Sequence, residues 1–307
     1  VSPSATGSGP EFGSPESTTL STDGRTAYVV DSFLAALLAV DLASGARTVV
    51  TDSTVPGGPA LVAPRSVALS ADGARAYVID GDLNTLLSVD LETGVRAVVS
   101  NNDTPDAGPP FDSPRSVALG TDGQTLYVLD SGLDALLRVE LETGLRTPVS
   151  DNDTPDSGPP LEAPRSVALS SDGTTGYIFD ASSDALLRVD LETGVRSLVS
   201  NNATPGGGPA FESPRFMTLS PDGESAYVVD ARLDALFEVD LETGMRTLVS
   251  GVPGLPDDST PGSGPTFLSP NAVAISADGT IAYVVDERVK AMLAVDLESG
   301  VRLIVSR

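Results

Sequence analysis

The chain has 307 residues, with 43 acidic against 18 basic side chains, a net charge of −25, and neither histidine nor cysteine. Without those two residue types, Ser-His-Asp chemistry, thiol catalysis and zinc sites with His or Cys ligands are impossible within this chain. The acidic balance excludes nucleic-acid binding through a broad basic face, and no apolar run approaches the ~18 residues that suggest a membrane span, so neither nucleic acid nor membrane insertion is expected.

Residues 1–8 read as the tail of a linker, because VSPSATGSGP at the start resembles STPGSGP at 259–265. The chain opens on Val1, which suggests a mature or trimmed form with a leader or flanking sequence removed. The expected location is secreted, periplasmic or cell-surface, and the expected state is a monomer. From Gly9 onward one unit recurs, opening again at Gly58, Gly108, Gly158, Gly208 and Gly264. Self-similarity at a period of about 50 residues marks a propeller or a solenoid. The units are 9–57, 58–107, 108–157, 158–207, 208–263 and 264–307.

The second unit shows what each one builds. RSVALS (65–70) alternates apolar and small polar residues, as a strand packed on both faces does. Asp72-Gly73 follows as a hairpin signal, and ARAYVID (74–80) is a second strand rich in β-branched and aromatic residues. The polar stretch 81–84 turns the chain into TLLSVDL (85–91). Glu92-Thr93-Gly94 makes a third turn, and VRAVVS (95–100) is a fourth strand. A lone sheet of four short strands exposes two apolar faces, and six of them closed in a ring cover all twelve. The sequence therefore predicts an all-β, six-bladed β-propeller, one domain over 1–307. Each unit supplies its own four antiparallel strands, so no swapped closing strand is required.

Departures from the repeat come at its ends. The first unit has Glu16 where the next four have arginine, and Ala43 where the others have glutamate. The fifth ends in a longer linker (251–263), and the sixth carries Asn271 at the variable position. One tyrosine per unit, at the same place in the second strand, predicts an inter-blade core.

PRSVALSADGARAYVID (64–80) and PNAVAISADGTIAYVVD (270–286) resemble the repeats of NHL and YVTN propellers, and are similar to those of gluconolactonase/regucalcin propellers. In the latter family the residue after the inner-strand proline supplies ligands to an axial metal, a Glu from the first blade and Asn and Asp from others. The matching positions here are Glu16, Arg65, Arg115, Arg165, Arg215 and Asn271. The resemblance implies a metal-dependent, lactonase-like hydrolase using Glu16 and Asn271 with a carboxylate such as Asp31 or Asp286. The four arginines depart from the family pattern.

Read without the resemblance, the arginines converge on the axial opening of a propeller and form an anion site of fork-shaped donors. The alternative is a structural element in which each arginine pairs with Asp80, Asp130, Asp180 or Asp230. The linkers NNDTPD (101–106) and DNDTPD (151–156) alternate carboxylates and amides as calcium loops do. Asn101, Asp103, Asp151 and Asp153 are thus candidate Ca2+ ligands, with Asp257 and Asp258 as a weaker version, although the same residues before proline are ordinary turn formers. The Asp closing each second strand reads as a hairpin-fixing residue bonded to backbone amides. Arg47, Arg96, Arg146, Arg196, Arg246 and Arg302, which open the fourth strands, read as partners of Asp41, Asp90, Glu140, Asp190, Asp240 and Asp296 in exposed pairs. The leading reading is a non-catalytic extracytoplasmic binding or scaffold propeller whose funnel takes a small anionic ligand or a protein partner. Its rival is the metal-dependent hydrolase.

Overall fold

The computed structural model describes residues 7–154, 157–203, 207–251 and 262–307. Among them lie six four-stranded antiparallel sheets, each made of strands consecutive in the chain, and no helix that could cross a membrane. The second blade is β5 (Pro64–Leu69), β6 (Arg75–Asp80), β7 (Thr85–Asp90) and β8 (Arg96–Asn101), within a residue or so of the bounds read from sequence.

The burial of each strand follows from its place in a ring of radial sheets. Five of the six residues of β6, and likewise of β7, are buried, because both faces of a middle strand meet another blade. The outer strand β8 exposes Ala97 and Val98. Innermost are the six first strands: β1 (Pro15–Leu20), β5, β9 (Pro114–Leu119), β13 (Pro164–Leu169), β17 (Pro214–Leu219) and β21 (Pro270–Ile275). Each touches the first strands of both neighbours, and β21 meets β1, so the ring closes between the last blade and the first without exchanging a strand. The all-β, six-bladed β-propeller with four antiparallel strands per blade is the fold observed.

The tyrosines sit where the repeat places them, each in the core shared with the following blade: Tyr77 packs with Phe111 and Val117, Tyr177 with Phe211 and Met217, and Tyr227 with Phe267 and Val273. Burial, and secondarily the Glu238 carboxylate, push the Tyr227 hydroxyl up to about 12.

The Asp that closes each second strand has no exposed surface and bonds to backbone amides. Asp180 accepts from the N–H of Glu162 (2.7 Å), Ala163 (2.9 Å), Ser182 (3.1 Å) and Ser183 (3.1 Å). One carboxylate thereby fixes both the linker entering the blade and the turn leaving its second strand, which is the hairpin-fixing role read from sequence. It also rules out the pairing of the funnel arginines with Asp80, Asp130, Asp180 and Asp230, whose oxygens are taken by amides.

The fourth-strand arginines correct the sequence reading. They are not exposed partners of Asp41 and its equivalents but are at most 4% exposed. Each reaches back into the preceding blade. Arg146 donates to the Ser100 hydroxyl (2.8 Å), the Asn101 carbonyl (2.7 Å) and the Pro109 carbonyl (2.7 Å), and its guanidinium lies over the Phe111 ring. Arg47 uses Ser306 in the same way, so this latch also spans the closure between blades six and one. The acids expected as partners instead cap their own turns: Asp90 accepts from the N–H and hydroxyl of Thr93.

Candidate functional site

The six positions singled out in the sequence share one backbone feature. Every first strand carries a register shift immediately after its proline, so that the next residue has no partner on the second strand: Glu16, Arg65, Arg115, Arg165, Arg215 and Asn271. A β-bulge inserts an unpaired residue and re-aims its side chain. Since all six innermost strands begin around one axis, all six bulged residues line a single cavity of about 270 Å³, together with Phe216 and Glu287.

Four guanidinium groups against two carboxylates make this lining cationic in a chain of net charge −25. The charges are unevenly paired. Arg65 lies 3.3 Å from Glu16 and 4.0 Å from Asp82. The Ser32 hydroxyl also donates to Glu16, at 2.8 Å. Arg115 donates through Nε to the Ser131 hydroxyl (3.0 Å), whereas the guanidiniums of Arg165 and Arg215 make no hydrogen bond to the described residues. None of these three has a carboxylate within 4.0 Å among the described residues. Burial, then the like charges of Arg215 and Arg115, hold Arg165 below the ordinary arginine value. On the opposite wall the Asn271 amide donates to the Pro15 carbonyl (3.0 Å), fixing that side chain across the blade-six to blade-one seam.

Two lining residues were not singled out from sequence, and both break the repeat. Where blade five has Phe216, blades two to four have Ser66, Ser116 and Ser166, whose hydroxyls accept from the next blade's Val117, Val167 and Met217 amides at 3.1–3.2 Å. Phe216 gives up that stitch and brings an aromatic ring to the cavity. Glu287 follows the strand-closing Asp286, where other blades have serine, glycine or alanine. A search for departures from the repeat around the bulge would have found both. A groove of about 610 Å³ between blades five and six has Arg215 and Glu287 in common with the cavity.

The donor set does not fit the axial cation that the gluconolactonase resemblance implies. Asp31 and Asp286 are fully buried and bound to amides: Asp31 accepts from Gly13 (2.7 Å) and Ser14 (3.0 Å), Asp286 from Leu268 (2.8 Å). Glu16 and Asn271 do meet on adjacent blades, but Glu16 is ion-paired and three unneutralised guanidiniums share the cavity with it. A divalent cation needs several oxygen ligands and is repelled by such neighbours. Among the described residues no three Asp, Glu, His or Cys gather closely enough to hold a metal.

The linker candidates form turns. The Asn101 side-chain oxygen accepts from the Asp103 N–H (3.1 Å) and the Thr104 hydroxyl (2.9 Å). Asp151 likewise accepts from the N–H groups of Asp153 (3.1 Å) and Thr154 (2.8 Å). Hydroxyl and amide donors hold the Asp151 carboxyl below its usual range. Asp103 and Asp153 themselves are exposed. Asp257 and Asp258 lie outside the described residues.

No protein-family model and no curated protein sequence matches the chain. Solved structures do. Hydrazine synthase of Kuenenia stuttgartiensis superposes with a TM-score of 0.66 at 16% identity, over 96% of this chain and 99% of that one. A chain of a nidogen/laminin complex gives 0.65 at 16% identity, over 86% and 87%. A Bacteroides thetaiotaomicron protein of unknown function gives 0.71 at 16% identity, over 97% of this chain and 71% of that one. At such identities the likeness is one of architecture, and it establishes the chain as a six-bladed β-propeller.

Proposed function

We propose that this propeller is a non-catalytic binding or scaffold module, working outside the cytoplasm, whose axial funnel takes a small anionic ligand. The observation that carries the reading is the trio Arg115, Arg165 and Arg215: three guanidiniums on consecutive blades facing one cavity, with no carboxylate within 4.0 Å among the described residues. Arg115 and Arg165 are half-buried and Arg215 is exposed; withdrawing unpaired charges even partly from water is costly, and clustering three like charges adds to the cost. A carboxylate, sulfate or phosphate offers the planar or tripodal acceptors that guanidinium forks match. The architecture recurs in a chain of a nidogen/laminin complex, which supports the scaffold side of the reading.

Isothermal titration with sulfate, phosphate and malonate tests it on the wild-type chain and on Arg115→Ala and Arg165→Ala. Saturable binding that weakens at least about tenfold in each variant is expected, since a hydrogen bond to a charged group contributes ~1.5–3 kcal/mol. Absence of binding to the wild type, or equal affinity in the variants, refutes the anion site.

A further inference from the structure

The funnel is not uniformly cationic, and its asymmetry says more about the ligand than its net charge does. Arg115, Arg165 and Arg215 occupy blades three to five; Glu287, Asn271 and Glu16 occupy blades six and one. Within the acidic wall, the charge of Glu16 is matched by Arg65. Glu287 is not matched: among the described residues it has no cation within 4.0 Å. The Ser14 hydroxyl lies 3.2 Å from Glu287 and 3.5 Å from Glu16. A hydroxyl has one proton, so it satisfies one of these carboxylates at a time. The amide nitrogen of Asn271 is held by Pro15, which leaves its carbonyl oxygen as a third acceptor on the same wall. The cavity therefore faces three unneutralised cations with a cluster of acceptors that contains one unneutralised anion.

We infer that the ligand is an acidic α-amino acid, its two carboxylates on Arg115, Arg165 and Arg215 and its ammonium on the wall formed by Glu287, Asn271 and Glu16. The inference rests on the anion-site reading and narrows it. Two carboxylates neutralise most of the guanidinium trio, where a monocarboxylate leaves two of the three unmatched. An ammonium has three donors and no acceptor, which suits a wall of acceptors carrying an uncompensated negative charge. A dicarboxylate lacking the ammonium has nothing to match Glu287 and turns its backbone methylenes toward that charge. The cavity, at about 270 Å³, lies below the range of drug-sized pockets, which favours a small ligand. Phe216, in the same lining, offers an aromatic ring to the ligand's methylene carbons.

Titration of the full chain with L-aspartate, L-glutamate, succinate and L-alanine tests the assignment. One of the two acidic amino acids is expected to bind at least about tenfold more tightly than either succinate or alanine, one charge-assisted contact being the difference. The isosteric Glu287→Gln is expected to erase the preference over succinate while leaving succinate binding intact. Succinate binding as tightly as both acidic amino acids, or an unchanged ratio in Glu287→Gln, overturns this assignment while leaving an anion site standing. Failure of all four compounds, with sulfate, phosphate and malonate also silent, overturns both.

Discussion

Arg196 and Ser150 lie on neighbouring blades, and the 2.7 Å hydrogen bond from the guanidinium to the hydroxyl joins them. The same hydroxyl donates to the Gly194 carbonyl at 2.6 Å, so a single serine both accepts from and donates to the next blade. Arg196 adds bonds to the carbonyls of Pro159 (2.6 Å) and Asp151 (2.7 Å). Gly194 has φ +73°, and a Cβ there would collide with the Val149 carbonyl of blade three, so glycine is required both for the turn and for the close approach. The ring is thus held by buried polar joints between blades as well as by apolar packing.

Removing that joint should be measurable by thermal melting. Ser150→Ala deletes an acceptor for Arg196 and a donor to Gly194 in a buried setting, at a cost of about 1–3 kcal/mol. Arg196→Ala deletes several bonds and should cost about 3–5 kcal/mol. Arg188→Ala, at an exposed side chain between buried Leu187 and Val189 of the same blade, should melt close to the wild type. Equal melting temperatures for Arg196→Ala and Arg188→Ala would show that the latch does not hold the blades together.

One carboxylate is poorly placed for folding. Asp134 sits in the left-handed region at φ +49°, its Oδ1 is buried without a hydrogen-bond partner, and burial followed by the charges of Asp180, Glu162 and Asp130 raises its pKa. Blade two has Asn84 at the same position, and its amide nitrogen can donate to the carbonyls of Gly81 and Asp112, both at 3.1 Å. Asparagine tolerates this backbone region well. Asp134→Asn should therefore stabilise by about 1 kcal/mol at neutral pH, read as a rise in melting temperature. A fall would contradict the assignment.

The response to acid follows from the turn aspartates. Hydroxyls of Ser44, Thr93, Thr243 and Ser299, then turn amides, hold Asp41, Asp90, Asp240 and Asp296 below 3.8. Ser70, Ser170 and Ser276 do the same for Asp72, Asp172 and Asp278. A depressed folded pKa gives stability that is complete above the unfolded value and lost as pH falls through the folded one. Asp134, Asp184 and Asp234 are shifted upward, chiefly by burial, so their penalty is relieved as pH falls through their raised values. With no histidine in the chain, melting temperature should hold or rise slightly from pH 7 toward pH 5 and drop only below about 3.8. A marked loss between pH 7 and 5 would show that other groups control acid stability.

Strand order, blade count and the convergence of Glu16, Arg65, Arg115, Arg165, Arg215 and Asn271 were legible because they depend on equivalence between repeats, which a periodic sequence displays directly. The latch was not. Arg196 finds its partner Ser150 in another blade, 46 residues back, and spacing within one unit pointed to Asp190, a cross-strand neighbour that caps its own turn instead. Whether the bulged arginines face acids or open space was equally hidden, since Asp80 and its equivalents are near in sequence but occupied by amides. Phe216 and Glu287 show that in a repeat protein the informative positions are those where one copy breaks the pattern.

An anion proposed for the axis can be located in a crystal. A crystal soaked in selenate, with anomalous density calculated along the channel, tests it most directly. A peak within hydrogen-bonding distance of Arg115, Arg165 and Arg215 is expected. A channel without a peak, or a cation there ligated by Glu16 and Asn271, would contradict it.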